Sequence, residues 1–450
     1  MAPRKSRPAA PRPPPRTLVL DNGAETLKAG LVATGDTGDA VYEPRIIPNC
    51  IARDRKRKVY VASDLAKCRD FGEIAFRRPV EKGYIVNWEA QKEVWDHEFF
   101  DSAAPTKCDP SETRLVLTEQ PNALPVLQSN CDQIVFEEYQ FTSYYRGIGP
   151  VFNAYHDVQD VFQTPRAVED APPIPAEILL LIDSGYSSTT VTPIFRGRPL
   201  QSGIRRLDVG GKLLTNYLTR LLSLRHYDMR NDAYIVNEIK ESACYVSHDF
   251  EGDLDKTWKG ARGEQREAYL TGAGIAKDYV LPDFHIRHKG IVRDYDHTTA
   301  ATRARRLATS SPAEDILTLR NERFVVPEVL FNPGDIGIQQ PGLADLVVQS
   351  LDALPVGLWP GLLANIVVVG GSVLFEGFVQ RLRQEIMPRV PSDCVVRVAR
   401  PSEPITSTWR GAADFARHEH ANRLSVTKQE YEEHGQQWVA RKFATGLGLP

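Results

Sequence analysis

Two stretches of this 450-residue chain share one plan. The first is LVLDNGAETLKAG, Leu18–Gly30, and the second is ILLLIDSGYSSTTVTPIF, Ile178–Phe195. Each is an apolar strand that ends on an aspartate, Asp21 or Asp183, followed by a small, glycine-bearing turn and a second strand. That order predicts a hairpin. Its recurrence predicts a duplicated α/β architecture, in which each half opens with an Asp-tipped hairpin. A hairpin at the end of a buried strand presents successive backbone N–H groups, which together cradle an anion. Two such hairpins facing each other could grip a triphosphate from both sides. Asp21 and Asp183 would then hold Mg²⁺ through water, as hard oxygen ligands do.

Other segments extend this reading. Lys28, just after the first hairpin, could neutralise phosphate charge, and Gly370-Gly371 after the strand NIVVV lets a nucleoside approach the backbone. Asn87–Phe100 has a helical spacing of Trp88, Val94, Trp95 and Phe99 behind an Asn cap. Thr113–Pro121 reads as a buried strand, and Lys58–Ser63 as a half-buried one. Asp208–Leu224 and Asn231–Phe250 read as amphipathic helices, and the chain from Trp409 as mostly helical. Gln159–Glu177 is polar and Pro-rich and predicts an inserted surface loop. His285–Asp315 is basic and patternless and predicts a flexible insertion.

Composition narrows the function classes. With 42% hydrophobic and 25% charged residues the chain can bury a large core. A net charge of -3 gives no global field for nucleic acid or anionic membrane. No apolar run approaches the roughly 20 residues that span a bilayer. The six cysteines are scattered without a CxxC pair, as reduced thiols of the cytosol or nucleus are. Residues 1–16, MAPRKSRPAAPRPPPR, predict a disordered cationic tail. The short basic runs Arg53–Lys58 and Arg303–Arg306 are candidates for weak DNA contact.

The order of two phosphate hairpins and a Gly-Gly nucleoside turn resembles the actin–sugar kinase–Hsp70 superfamily. The likeness to actin is closer and covers nearly all of residues 17–443. It is carried by VEKGYIVNWEAQKEVWDHEFF, LVLTEQP, RRLDVGG, EIKESACYVSHDFE, NERFVVPEVLFNPGDIGI and NIVVVGGSVLFEGF. A short loop after Cys50 and the two insertions are departures typical of actin-related proteins. DNGA, IDSGYSSTTVTPIF and DYVLPDF are most similar to a nuclear class of that family. The resemblance implies an actin-like two-domain fold, with duplicated mixed sheets flanked by helices around a nucleotide cleft. Residues 17–156 with 407–450 would form the small domain, with 43–78 as its outer subdomain. Residues 178–406 would form the large one, with 210–319 as its outer subdomain, and 157–177 would be the inserted loop between them.

Residue by residue, the resemblance implies a site for ATP or ADP with Mg²⁺. Asp21, Asn22, Gly23 and Lys28 would belong to the first phosphate loop, and Asp183, Ser184 and Gly185 to the second. Lys240 and Glu241 would meet ribose and base, and Gly370, Gly371 and Phe375 would form the nucleoside turn. Asp21 and Asp183 would be the metal ligands. The departures lie in the same places. Ala24 and Glu25 replace a Ser and a Gly, Tyr186 replaces an acidic residue, Phe375 replaces a Tyr, and no Lys covers the adenine near Pro404–Ile405. Actin positions its attacking water with a Gln and a His. The matching Gly149 and Thr190 can neither orient nor deprotonate water near neutral pH, so no catalytic residue is assigned. A Glu25 side chain facing phosphates would cost several kcal/mol, by order of magnitude, through like-charge contact. One pointing outward would leave the cradle intact.

The expected function is therefore a non-catalytic subunit of a nuclear SWR-type chromatin remodeller, which exchanges the H2A-Z histone variant into nucleosomes. Its ATP binding would be weak or structural. The implied partners are the remodeller ATPase subunit, a small HIT-type zinc-finger subunit, and nucleosomes or histones through the complex, with the cytoplasm as a second compartment. An actin-like ATPase, a sugar kinase and a filament-forming cytoskeletal protein are the alternatives. The altered loop after Cys50 and the insertion after His285 disfavour self-polymerisation.

Overall fold

The computed structural model describes residues 16–33, 43–156, 158–163, 176–258, 274–284, 287–295 and 314–444. Two six-stranded sheets follow one plan. In the first, Arg16–Asn22 pairs antiparallel with Thr26–Ala33 and parallel with Thr113–Glu119, which is itself parallel to Ser143–Ile148. In the second, Ile178–Ser184 pairs antiparallel with Thr189–Phe195 and parallel with Ile366–Val369, which is parallel to Val398–Ala399. Each sheet is thus one hairpin followed by two parallel strands, the duplication that the two Asp-tipped stretches announce. The register places Asp21 opposite Lys28 and Asp183 opposite Thr190.

Burial explains why the strands are nearly continuous apolar runs: parallel strands are covered on both faces. Along the second sheet the side chains alternate between two cores. Leu179, Leu181, Val367 and Val369 pack into the core that holds Leu18, Val19 and Leu20 of the first sheet. Leu180, Ile182, Ile366 and Val368 pack into the other core, against Leu214, Leu218 and Leu222 of helix Gly211–Arg225. The inner face of the second sheet therefore completes the core of the first. Close-packed interiors transmit position with little play, so the two sheets are joined along this shared core of strand residues.

The C-terminal helices are tied back to the first sheet by polar as well as apolar contacts. Trp409 of helix Ser407–Arg417 is fully buried and donates its indole N–H to the Val19 carbonyl at 2.9 Å. The ring lies against Gly30, where a Cβ would come within 2.7 Å of it. Buried Arg114 joins Thr17, the Ala416 carbonyl and Asn422 through its three nitrogens. Among the described residues no helix is long and apolar enough to cross a membrane.

Three expectations need correction. Strand character over Lys58–Ser63 is confined to Val59–Val61, because Ala62 takes a positive φ of 47° and opens the 3₁₀ turn Ala62–Lys67. The helix expected over Asn231–Phe250 is broken. It spans Ala233–Ala243, and a second helix runs from Phe250 to Trp258. Between them the Tyr245 and Val246 amides bond to the Arg323 and Glu376 carbonyls, so tertiary pairing replaces local helix bonds. Within the stretch read as patternless, Ile291–Asp294 forms an edge strand on Lys277–Val280, a run too short to show its period. The basic tail, Arg303–Arg306 and most of Gln159–Glu177 lie outside the described residues.

Trp409→Ala would remove both a core ring and the donor that Val19 needs. It should cost about 3–5 kcal/mol of stability. Urea denaturation of the purified variant checks this, and a loss below about 1 kcal/mol would show that the C-terminal helices are not anchored here.

Candidate nucleotide cleft

The carboxyl ends of the central strands of both sheets open on one cavity of about 520 Å³. Crevices at this end of an α/β sheet are where ligands bind, because strand ends and turns offer unpaired backbone groups there. Asp21, Asn22, Gly23, Lys28, Asp183, Gly185, Lys240, Glu241, Gly370, Gly371 and Phe375 all line it. Ser184 does not. Its hydroxyl is fully buried and bonds to Thr189 Oγ1 at 2.9 Å, while Thr189 in turn donates to the Val209 carbonyl.

The first hairpin is braced from beneath. Asn22 donates to Gln91 Oε1 and accepts from the Trp95 indole, and Asn49 bonds to both Gln91 and the Gly23 carbonyl. Gln91 and Trp95 lie on helix Trp88–Trp95, whose predicted cap is present: the Asn87 side chain accepts from the Ala90 amide. The Asn22 side chain therefore holds the loop. Asp21 accepts from Thr118 Oγ1 at 2.6 Å and lies 3.6 Å from Lys28 Nζ.

The second hairpin is closed by the Gly185 amide on the Ser188 carbonyl. Its Gly185 and Tyr186 carbonyls accept from the Gly211 and Lys212 amides, the first turn of helix Gly211–Arg225. The approach is so close that a Cβ at Gly210 would sit 2.6 Å from the Ser188 nitrogen. Gly370 has a φ of +96°, and a Cβ there would lie 2.4 Å from the Ser184 carbonyl oxygen. These contacts set the Gly-Gly turn directly against the second hairpin. Lys240 is buried and spends its ammonium on the Gly211 carbonyl, Thr215 and Asn237, while Glu241 accepts from Asn237. Burial holds Lys240 below the usual lysine range, and Glu241 partly restores it.

Asp183 carries the strongest electrostatic tension in the cleft. Burial first, then the charge of Asp21, push its carboxyl up to about 7, with Lys28 opposing. A bound cation would relieve this. Among the described residues no three carboxylate, imidazole or thiol side chains converge to hold a metal by themselves. Two carboxylates are what Mg²⁺ uses when water and phosphate oxygens complete its shell, so the residues present fit it.

The position of Glu25 is settled by a residue that the sequence did not single out. Glu25 Oε1 accepts from Arg78 Nη2 at 3.1 Å. Its Oε2 lies 2.9 Å from the same nitrogen, an ion pair at an angle too poor for a second hydrogen bond. The Arg78 guanidinium also stands 5.1 Å from the centre of the Tyr186 ring. Burial pulls the Arg78 pKa down, but Glu25 and then Tyr186 outweigh it and leave the group above the ordinary arginine value. The carboxylate on the loop tip is thus neutralised within the protein. Two facing departures, Glu25 and Tyr186, were the available signal, since an acid and an aromatic ring invite one cation between them.

Neither position matched to actin's water-activating pair offers a group for that task. Gly149 is in the cavity wall, and a Cβ there would meet its nearest neighbour, Thr408, at an ordinary 3.4 Å. Packing therefore does not demand glycine. Thr190 is buried within its sheet, its hydroxyl has no hydrogen-bond partner among the described residues, and it does not line the cavity.

The raised Asp183 pKa has a defined pH consequence. The unfolded carboxyl titrates near its ordinary value of 3.8 and the folded one at about 7. The folded chain therefore binds more protons between these values, and its cation-free form loses stability as pH rises from about 4 to about 7. Protons also compete with the cation, so Mg²⁺-dependent nucleotide affinity should rise up to about tenfold per pH unit below pH 7. Titration calorimetry between pH 6 and 8 checks this, and Asp183→Asn should flatten the profile.

The actin family profile matches residues 13–444. The chain is 70% identical over 446 residues to actin-related protein 6 of Neurospora crassa, across 99% of this chain and 98% of that one. It is 48% identical to actin-like protein arp6 of Aspergillus fumigatus, across 96% of this chain and 95% of the relative. Against actin-related protein 6 of Drosophila melanogaster the identity is 35%, across 94% and 99% of the two chains. Its paired sheets, its facing hairpins and this full-length similarity agree: the chain belongs to the actin family, most similar within it to actin-related proteins 6.

Proposed function

We propose that this protein is a non-catalytic actin-related subunit of a nuclear SWR-type remodeller that exchanges the H2A-Z histone variant into nucleosomes. The observation that carries the non-catalytic part is the contrast within the cleft. Both Asp-tipped hairpins and the Gly-Gly turn line one cavity, whereas Gly149 and Thr190 supply no base or water-orienting group. The remodeller assignment is supported by similarity to the actin-related proteins 6 and not by any residue of the cleft.

In this reading the cleft binds ATP or ADP with Mg²⁺ as a structural ligand. Mg²⁺, when bound, screens phosphate charge. Asp21 and Asp183 hold it, with Thr118 fixing the Asp21 carboxylate. Lys28 adds positive charge beside Asp21, and hairpin amides receive phosphate oxygens. Gly370 and Gly371 admit the nucleoside. A ligand that binds only the folded chain stabilises it by mass action, which gives the site a purpose without turnover. The partners in this account are the remodeller ATPase subunit, a HIT-type zinc-finger subunit, and histones or nucleosomes reached through the complex.

Affinity purification of the tagged full chain from nuclear extract should recover a large remodelling ATPase and H2A-Z in constant ratio. A chain that purifies alone, or sediments as a polymer, would contradict the assignment. Purified chain with MgATP should release no phosphate above the rate of free ATP. Gly149→Gln should leave release at that background, because the added amide can orient water but Thr190, buried in its sheet away from the cavity, still supplies no base. Turnover by the unmodified chain would overturn the non-catalytic reading.

A further inference from the structure

The Arg78 contact is one link in a longer line of groups that joins a small lobe to helix Ala233–Ala243, whose Lys240 and Glu241 line the cleft. Phe71 and Phe76 belong to the small lobe around strands Ile51–Arg53, Val59–Val61 and Ala75–Arg77. Tyr234 belongs to helix Ala233–Ala243 on the other side. Phe71 stacks on Tyr234 with centroids 4.0 Å apart and planes within 9°. Phe76 lies 6.4 Å from the same ring, and the Arg78 guanidinium lies 5.2 Å from Phe76. Beside this stack the Glu73 amide donates to Asp232 Oδ1 at 3.0 Å. Arg78 continues the line to Glu25 of the first hairpin and Tyr186 of the second.

We propose that Glu25, Arg78 and Tyr186, with the Phe71–Tyr234 stack, form a latch that holds the cleft closed without nucleotide. The physical argument is one of substitution. A polyphosphate bridges two facing hairpins only while it is bound, and its loss leaves them free to part. Here a guanidinium occupies the bridging role permanently, paired with a carboxylate from one hairpin and a ring from the other. Charge-assisted and cation–π contacts gain strength when shielded from water, and Arg78 is largely buried. The Phe71–Tyr234 stack adds apolar contact between the small lobe and helix Ala233–Ala243. The latch therefore makes the closed shape a property of the chain, and it slows exchange of any nucleotide inside. This second consequence rests on the nucleotide reading of the cleft, whereas the closure itself does not.

Hydrogen exchange of the full-length chain separates the two. Protein stripped with EDTA is compared with protein in saturating MgATP, at the amides of 21–28 and 183–190. Nucleotide-free wild type should keep protection within about threefold of the loaded form. Arg78→Gln should lose at least about tenfold in both hairpins when nucleotide-free and recover with MgATP. Unchanged circular dichroism shows that Arg78→Gln still folds. If it does not, Tyr234→Ala in the Phe71–Tyr234 stack serves for the same comparison. Wild-type hairpins that exchange as fast as those of Arg78→Gln when nucleotide-free would overturn the latch. Should equilibrium dialysis find no MgATP bound while protection still depends on Arg78, the nucleotide reading fails and the latch stands.

Discussion

Asp183 is half-buried in the wall of the cleft, and Asp21 adds its charge to the desolvation that already disfavours ionisation there. A fold built for packing alone would not keep two carboxylates in this relation. It persists because each aspartate is fixed by the strand that carries it. Asp21 ends a strand flanked by Thr26–Ala33 and Thr113–Glu119, and Asp183 ends one flanked by Thr189–Phe195 and Ile366–Val369. The shared core through Leu179, Leu181, Val367 and Val369 joins the two sheets along these strands. Lys28 and Thr118 relieve part of the charge, and the remainder is a standing demand for a cation.

The second demand on the cleft is the carboxylate of Glu25, and the protein answers it internally. Arg78 neutralises it and in the same place meets Tyr186. Two substitutions that look like separate damage to two phosphate loops are therefore one interaction. In the proposed reading, a site without water activation at Gly149 and Thr190 has gained a link between its halves. If the chain is the structural subunit proposed above, this is the more useful property, because a docking surface must keep its shape whatever the occupancy of the cleft.

Much of this was legible in the amino-acid order because its signals are local. The hairpins, the Asn87 cap and the Gly370 turn each depend on a few consecutive residues, and their periodicity or turn chemistry shows them. The duplicated sheets followed from seeing one hairpin twice. What was hidden depends on contacts between distant segments. Arg78 is an ordinary arginine in sequence, and only the fold brings it to Glu25, 53 positions away. The break after Ala243 is likewise set by Arg323 and Glu376, which no local pattern near Tyr245 reveals. Lys240 was expected to face ribose or base, and the structure shows that its donors also tie two helices together.

The central claim is a cleft that holds nucleotide and does not turn it over. Its most direct test is to purify the chain, denature it, and identify the adenine nucleotide released, with Asp183→Ala as control. The account predicts ATP in near-stoichiometric amount from the wild type and little from the control. Mostly ADP would contradict it, because some group other than Gly149 or Thr190 would then be activating water.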